Sequence, residues 1–224
     1  MVQSSLLNIN PEPIGLYKLP PEQHEKYKST LTSLWDNADS IYRQQRQEYT
    51  RYICNAPGQN LFEQFAQLSE LEHTIRLILM NYISRIGYQC EDLLIHSSWL
   101  NRASEGAILD DHAHSNSFIS ANYFVNFNSK LHSPLSFRND RCTMHRNAGF
   151  PYITLEELAE KSIYNIPRIG MNAPEGSILV WRSHMVHGYN TPNQGPGRMT
   201  LSLNALPKIV SNGAYAFSAS SLQL

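Results

Sequence analysis

Gly176-Ser177-Ile178-Leu179-Val180-Trp181-Arg182-Ser183-His184-Met185-Val186-His187-Gly188 is the stretch on which the fold of this 224-residue chain turns. A Gly-Ser opening followed by four apolar residues reads as a buried strand, and the polar residues after it as a tight turn that delivers His187 just beyond. Eleven residues further on begins Arg198-Met199-Thr200-Leu201-Ser202-Leu203-Asn204-Ala205-Leu206, where polar and apolar residues alternate. That is the period of a half-buried strand, with Arg198, Thr200 and Ser202 on one face and Met199, Leu201 and Leu203 packing behind.

Upstream, 93–101 and 117–128 read as strands and 133–137 as a shorter one. The first part of the chain has a different character. Residues 1–21 are rich in Pro and Asn and read as an extended lead-in, and the polar segment 22–51 predicts one or two surface helices. Asn55-Ala56-Pro57-Gly58 marks a loop within 52–60. Leu68, Leu71, Ile75, Ile78, Tyr82 and Ile86 then recur at three- and four-residue steps, one stripe of an amphipathic helix that ends at Gly87. Thr154 followed by Glu157 fits a capping box for a short helix over 156–161. The sum is an α+β chain with a mainly β core, N-terminal helices packed on the sheet of a β-sandwich or jelly-roll barrel. One domain over 1–224 is expected, with extension and helices to residue 60, a support helix over 61–87 and the barrel core over 93–206.

Composition narrows the function classes. A formal net charge of -1 argues against bulk electrostatic binding to nucleic acid or to an anionic membrane. Cys54, Cys90 and Cys142 are an odd count without CxxC spacing, which argues against a disulfide framework or a cysteine zinc site and for a reducing compartment. Residues 1–13 lack the basic-then-apolar pattern of a signal peptide, and the apolar run around 75–80 is too short to span a bilayer. A soluble, cytoplasmic protein is the expectation.

Among nine histidines, His24, His73 and His132 sit in polar contexts and read as solvated. His96 reads as a buried, hydrogen-bonded strand histidine, and His145 and His184 are left undecided. Asp110-Asp111-His112-Ala113-His114 differs: in an extended backbone, residues two apart share a face, so His112 and His114 can aim both imidazoles at one point. Imidazole suits Fe, Zn, Cu and Ni, and His187 from another strand is the candidate third ligand. If Arg198 faces the interior it needs an anionic partner, and no acidic residue lies on its strand. A small dicarboxylate gripped by the guanidinium, with the Thr200 hydroxyl assisting, would satisfy it. A surface arginine at a strand start is the other reading.

These pieces together resemble the double-stranded β-helix of the iron and 2-oxoglutarate oxygenases, and more closely the 2-oxoglutarate/ferrous-iron oxygenase family of bacteria and phages. The resemblance spans about residues 65–206. It rests on Ser98-Trp99-Leu100-Asn101, His112-Ala113-His114-Ser115-Asn116-Ser117, Ser120-Ala121-Asn122-Tyr123-Phe124 and Gly176 through Asn204. It implies iron ligands at His112, His114 and His187, and a 2-oxoglutarate clamp at Arg198 with Thr200 beside it. Ser120, Asn122 and Asn101 become candidate pocket residues, Asn122 on the cosubstrate side. The implied reaction couples oxidative decarboxylation of 2-oxoglutarate by O2 to oxidation of a small-molecule or peptide substrate.

The wider superfamily carries Asp or Glu where this chain has His114, so Asp111 stands as an alternative ligand or as support for an imidazole. Two other readings fit the same fold: a cupin-like three-histidine metalloprotein that does not use 2-oxoglutarate, and a non-catalytic jelly-roll binding module. Arg198 discriminates between the first and the oxygenase. Arg138, Asp140, Arg141, His145 and Arg146 form a basic stretch, either a contact for an anionic or peptide substrate or a solvated loop.

Overall fold

The computed structural model describes residues 12–38, 43–47, 49–54, 56, 59–139, 162–163, 166–211, 214 and 216–220. The capping box at Thr154, together with Asp140, Arg141, Cys142, His145 and Arg146, lies outside them.

In chain order the elements are β1 (Gly15–Lys18), α1 (Pro21–Asn37), β2 (Arg43–Gln47), β3 (Thr50–Ile53), α2 (Leu61–Gln64), a 3-10 turn (Ala66–Leu68) and α3 (Ser69–Arg85). Then come β4 (Leu93–Ala103), β5 (Leu109–His112), β6 (Ile119–Asn126), β7 (Ser136–Arg138), β8 (Arg168–Gly170), β9 (Ser177–Arg182), β10 (His187–Tyr189), β11 (Arg198–Pro207), β12 (Ile209–Ser211) and β13 (Ala216–Ser218). A seven-stranded sheet in the order β1-β9-β6-β11-β4-β3-β2 faces a four-stranded sheet in the order β5-β10-β7-β8, with β12 and β13 as a separate hairpin. Every strand pairing is antiparallel. This is the jelly-roll expected from the strand pattern.

Alternation along the strands sorts side chains into two layers. On the outer face of the large sheet, Ile119, Ala121, Tyr123 and Val125 of β6 join Ile178 and Val180 of β9 and Met199, Leu201 and Leu203 of β11. These pack in one cluster with the helices. The inner faces hold Phe124, Phe127, Leu135, Phe137, Leu179 and Trp181. The polar members of the alternation, Thr200, Ser202 and Asn204 with Asn122 and Ser120, share that inner side and line a cavity.

The helices cover the outer face. α1 opens with Pro21, whose fixed φ suits the first helical position, and buries Tyr27, Leu31, Leu34 and Trp35. α3 buries Leu71, Ile75, Leu79, Tyr82 and Ile83, each aliphatic side chain worth about 1.5–3 kcal/mol. Leu79 and Ile83 thus form the centre of its stripe, while Ile78 and Ile86, chosen from the spacing, pack only at its margin. The chain leaves α3 through Gly87 at φ +90, a left-handed position that suits glycine. No helix among the described residues is long and apolar enough to cross a membrane.

Several expectations need correction. Residues 22–51 form one helix and then strands β2 and β3, because β3 finds a strand edge on β4, with Tyr52 opposite Asn101 and Ile53 opposite Leu100. Main-chain pairing of that edge outweighs a weak local helix preference. Residues 15–18 of the lead-in form β1, which pairs with β9.

His24 and His132, read as solvated, are both buried. His24 Nδ1 shares a 2.7 Å hydrogen bond with the Tyr123 hydroxyl, and its Nε2 lies 3.3 Å from Glu175. Glu175 also accepts from Lys28 Nζ at 2.7 Å and from the Phe127 N–H at 2.8 Å, so the group ties α1 to the sheet. His132 Nδ1 accepts from the Asn128 N–H, and its Nε2 lies 3.1 Å from the Pro196 carbonyl. His96 is half-buried, and its Nε2 has no hydrogen-bond partner. His73 is exposed as expected.

Candidate metal and cosubstrate site

β5 and β10 run side by side, and their register sets His112 directly opposite His187. His114 lies two residues past the end of β5. Its main-chain N–H donates to the Ser183 carbonyl at 2.9 Å, in the turn between β9 and β10, which draws its ring back alongside the other two. Ring centroids are 4.4 Å apart for His112 and His187, and 5.2 Å for His114 with each of them. One ligand nitrogen from each lies within 4.8 Å of the others.

The local backbone prepares these rings. His112 donates its Nδ1–H to the carbonyl of Asp110 at 2.8 Å, and His187 donates its own to the carbonyl of Met185 at 2.9 Å. Both bonds reach back two residues, orient the ring and leave the Nε2 lone pair free for a metal. Burial pushes the pKa of His187 down to about 3 and that of His114 to about 4, with neighbouring imidazoles adding to the effect. At neutral pH both rings are therefore in the uncharged form that a metal needs.

Gly188 makes the close pairing of β5 and β10 possible: a Cβ there would stand 2.6 Å from the Leu109 carbonyl oxygen and 2.9 Å from Asp111 Oδ1. Asp111 does not join the three histidines in the metal-competent group. It forms an ion pair with Arg168 Nη2, whose Nη1 donates to Ser136 Oγ at 2.9 Å, and Ser136 Oγ donates to the Gly188 carbonyl at 2.9 Å. The carboxylate thus braces β8, β7 and β10 from behind His112.

The histidines open into a cavity of about 500 Å³ that Arg198, Thr200 and Asn122 also line. Arg198 is 4% exposed, and its Nε and Nη2 have no hydrogen-bond partner. Its guanidinium carbon lies 4.4 Å from the Tyr189 ring centroid and 5.8 Å from that of Phe127. Aromatic faces hold the cation but supply no acceptor, and burial presses its pKa below the ordinary guanidinium value. Thr200 is the next inward residue on β11; its Oγ1 accepts from Asn101 Nδ2 at 3.1 Å. One step further, Ser202 donates to Asn122 Oδ1 at 2.8 Å.

Register places the two ends of the site. Trp99 lies opposite Ser202 and stacks on His114 at 6.1 Å; Trp181 lies opposite Ser120, hence level with Asn204, and its ring centroid is 4.8 Å from that of His187. The histidines therefore stand at the level of Ser202 and Asn204, with Arg198 four to six residues away along β11, two to three positions on its inward face. The unpartnered guanidinium nitrogens suit a carboxylate and the three clustered imidazoles suit a divalent metal in the same cavity, so the residues fit the ferrous ion and 2-oxoglutarate pair.

Sequence reading missed Tyr189, Tyr52, Trp99 and Trp181 as cavity walls. Thr50-Arg51-Tyr52-Ile53, rich in β-branched and aromatic residues, held a strand signal that the surrounding glutamines masked. Tyr189 carries no such local sign, because only the pairing of β10 turns it under Arg198. Arg138 is exposed at the end of β7.

Residues 97–204 match the family model described as "Putative 2OG-Fe(II) oxygenase". Solved structures share the fold at low identity. HygX from Streptomyces hygroscopicus, solved with nickel and 2-oxoglutarate bound, is 12% identical with a TM-score of 0.56 over 88% of this chain and 83% of its own. EctD from S. alaskensis is 10% identical with a TM-score of 0.59 over 87% and 73%. A 2OG-Fe(II) oxygenase family oxidoreductase from Burkholderia pseudomallei is 11% identical with a TM-score of 0.53 over 86% and 84%. A search of curated protein sequences finds no match. The stretch that matches this 2OG-Fe(II) oxygenase family model, residues 97–204, holds all three histidines and Arg198.

Proposed function

We propose that His112, His114 and His187 hold the ferrous ion of this oxygenase, and that Arg198, assisted by Thr200, holds the distal carboxylate of 2-oxoglutarate. One observation carries the assignment: a buried guanidinium with two unpartnered nitrogens shares a cavity with three clustered imidazoles. An unpaired buried charge is costly enough that a site keeping one calls for an anion. Ferrous ion, 2-oxoglutarate and O2 together supply the oxidant, with the cosubstrate decarboxylated to succinate as an organic substrate is oxidised.

The chain's own groups bind, orient and dry the site. Tyr189 beneath the guanidinium fixes its plane, and the carbonyls of Asp110 and Met185 fix the ring planes of His112 and His187. Phe124, Leu135, Phe137, Leu179 and Trp181 pack the barrel interior beside the site and keep water from the reacting centre. Asn122, through Ser202, stiffens the wall between clamp and metal.

HygX has been solved with hygromycin B bound, and a small-molecule substrate is our reading here too. Anaerobic addition of Fe2+ and 2-oxoglutarate to the purified protein tests the assignment. A weak visible charge-transfer band and a higher melting temperature are expected; a ligand present at about 100 times its Kd adds about 2.7 kcal/mol. No response to 2-oxoglutarate would overturn the cosubstrate assignment, and a carboxylate found on the metal in place of His114 would overturn the ligand set.

A further inference from the structure

At the level of the histidines, the large-sheet wall of the cavity is built of hydroxyls and amides. Ser117 Oγ lies 2.6 Å from Ser183 Oγ, which lies 2.9 Å from Ser120 Oγ. Ser120 donates to Asn204 Oδ1 at 2.7 Å, and Asn204 Nδ2 donates to Ser97 Oγ at 3.3 Å. This relay crosses β6, β11 and β4 at one level and ends on Ser97 at the cavity, with the Ser97 hydroxyl hydrogen left to donate.

Two further donors lack acceptors. Trp181 is 3% exposed, and its indole N–H, enclosed beside the cavity, has no hydrogen-bond partner among the described residues. Asn122, 5% exposed, accepts through Oδ1, while its Nδ2 makes no hydrogen bond among the described residues. Apart from the histidines, Arg198 and the exposed Asp110 are the charged side chains lining the cavity among the described residues.

Resting on the assignment of Arg198 to 2-oxoglutarate, we propose that this polar wall is the substrate subsite. We further propose that the part of the substrate entering it is an uncharged small molecule bearing hydroxyl or carbonyl oxygens, of polyol or sugar type. Charge decides the first half. With Arg198 and the metal both engaged by 2-oxoglutarate, whose two carboxylates offset the ferrous charge, a carboxylate at the level of Asn204 finds no cation on this wall; an ammonium finds no carboxylate there, Asp110 lying exposed on β5 of the other sheet. Donor count decides the second half. A hydrocarbon substrate seals the Asn122 amide and the Ser97 hydroxyl away from water with nothing to accept from them, at the expense of each unmade bond. An oxygen-bearing neutral molecule supplies those acceptors, and hydroxyls of the relay can rotate to donate or accept as it requires.

The test is a fragment screen by ligand-observed NMR against the protein loaded anaerobically with Fe2+ and 2-oxoglutarate. The set contains neutral polyols and glycosides, sugar acids and amino sugars in equal numbers and matched size. Loading is first checked by the visible band, so its failure marks the failure of the cosubstrate assignment and not of this one. Neutral hits are expected to dominate the loaded protein, and Asn204→Leu should weaken them about tenfold, the worth of one hydrogen bond. Asn204→Asp, close to isosteric, should move the preference to amino sugars; if it does not fold, Ser97→Asp serves the same purpose. Sugar acids or amino sugars binding the wild type as well as neutral compounds, or no hits at all in a loaded protein, would overturn the proposal. So would a charge preference that the introduced carboxylate leaves unmoved.

Discussion

The two walls of the cavity are built differently. Arg198 and Thr200 sit on β11, a ten-residue strand paired along its length with β4 and β6 at the centre of the large sheet, with Met199 and Leu201 buried behind them. The histidines sit on the small sheet, whose strands are three or four residues long and held by few pairings. His112 and His114 are also only half-buried, whereas Arg198 is fully enclosed. The anchor therefore borrows its rigidity from the core. The metal wall depends on local devices: carbonyl bonds to Nδ1, a glycine and an ion pair. Changes on the metal wall should abolish ligand responses with modest effects on folding, and changes on the anchor wall should do the reverse or split the two.

The largest expected effect is that of His187→Ala. It removes the ligand opposite His112 and should abolish both the Fe2+ response and the 2-oxoglutarate band in anaerobic titration. Circular dichroism should still report a folded protein, because the ring packs on the small sheet, beside Phe137 and Trp181, and not in the helix-covered core. A retained band would show that the metal is held elsewhere.

Gly188→Ala comes next. The added methyl meets a main-chain oxygen at 2.6 Å, which cannot yield as a flexible side chain would. β5 and β10 must part, at about 1–3 kcal/mol, and the His112–His187 spacing widens with them. Metal affinity, read by competition with a chelator, should fall by more than the melting temperature alone implies. Unchanged affinity would mean that the two strands are not the frame of the site.

Arg198→Met separates the walls. Metal binding should survive, while the rise in melting temperature caused by 2-oxoglutarate is lost. The unliganded protein should gain on the order of 1 kcal/mol, since an enclosed charge with two unpartnered nitrogens is replaced by a side chain suited to its aromatic surroundings. A variant less stable than wild type in the absence of ligand would show that the guanidinium is satisfied without an anion.

The same division explains what could be read from sequence. β9 and β11 were legible because a buried strand is written in its own residues: the run Ile178-Leu179-Val180-Trp181 and the alternation from Arg198 onward need no partner to be recognised. The helix stripe of α3 was visible too, with Leu71, Ile75 and Tyr82 buried as expected, though Leu79 and Ile83 take the place of Ile78 and Ile86, because Ile78 and Leu79 fit the spacing equally well and only packing against the sheet decides. β5, β8 and β10 were not legible as strands. Three or four residues carry no period, and these exist because a neighbouring edge pairs with them. His112, His114 and His187 could still be chosen by chemistry, as could Arg198. Tyr189 and Trp99 could not, since their role is contact across strands. The burial of His24 and His132 escaped for the same reason: their partners Tyr123, Glu175 and Pro196 are 64 to 151 residues away.

The smallest effect, and the most informative about the metal wall, is that of Asp111→Asn. As a carboxylate beside His112, Asp111 was the alternative to His114, yet its oxygens face Arg168 and Gly188 rather than the imidazoles. A brace and a ligand predict different things. The ion pair is about 30% exposed at Asp111 and 24% at Arg168, and pairs so exposed contribute about 0–1 kcal/mol, so the melting temperature should hardly move. What changes is the precision with which β5 and β10 present their rings, and loss of such outer support lowers metal affinity by about 10- to 100-fold. Asp111→Glu, which keeps the charge, should recover part of that loss, and Arg168→Gln should reproduce the deficit from the other side. Abolished binding, as severe as in His187→Ala, would make Asp111 a ligand and return His114 to the role of a neighbour; unchanged affinity would leave the small sheet held by Gly188 and the carbonyls alone.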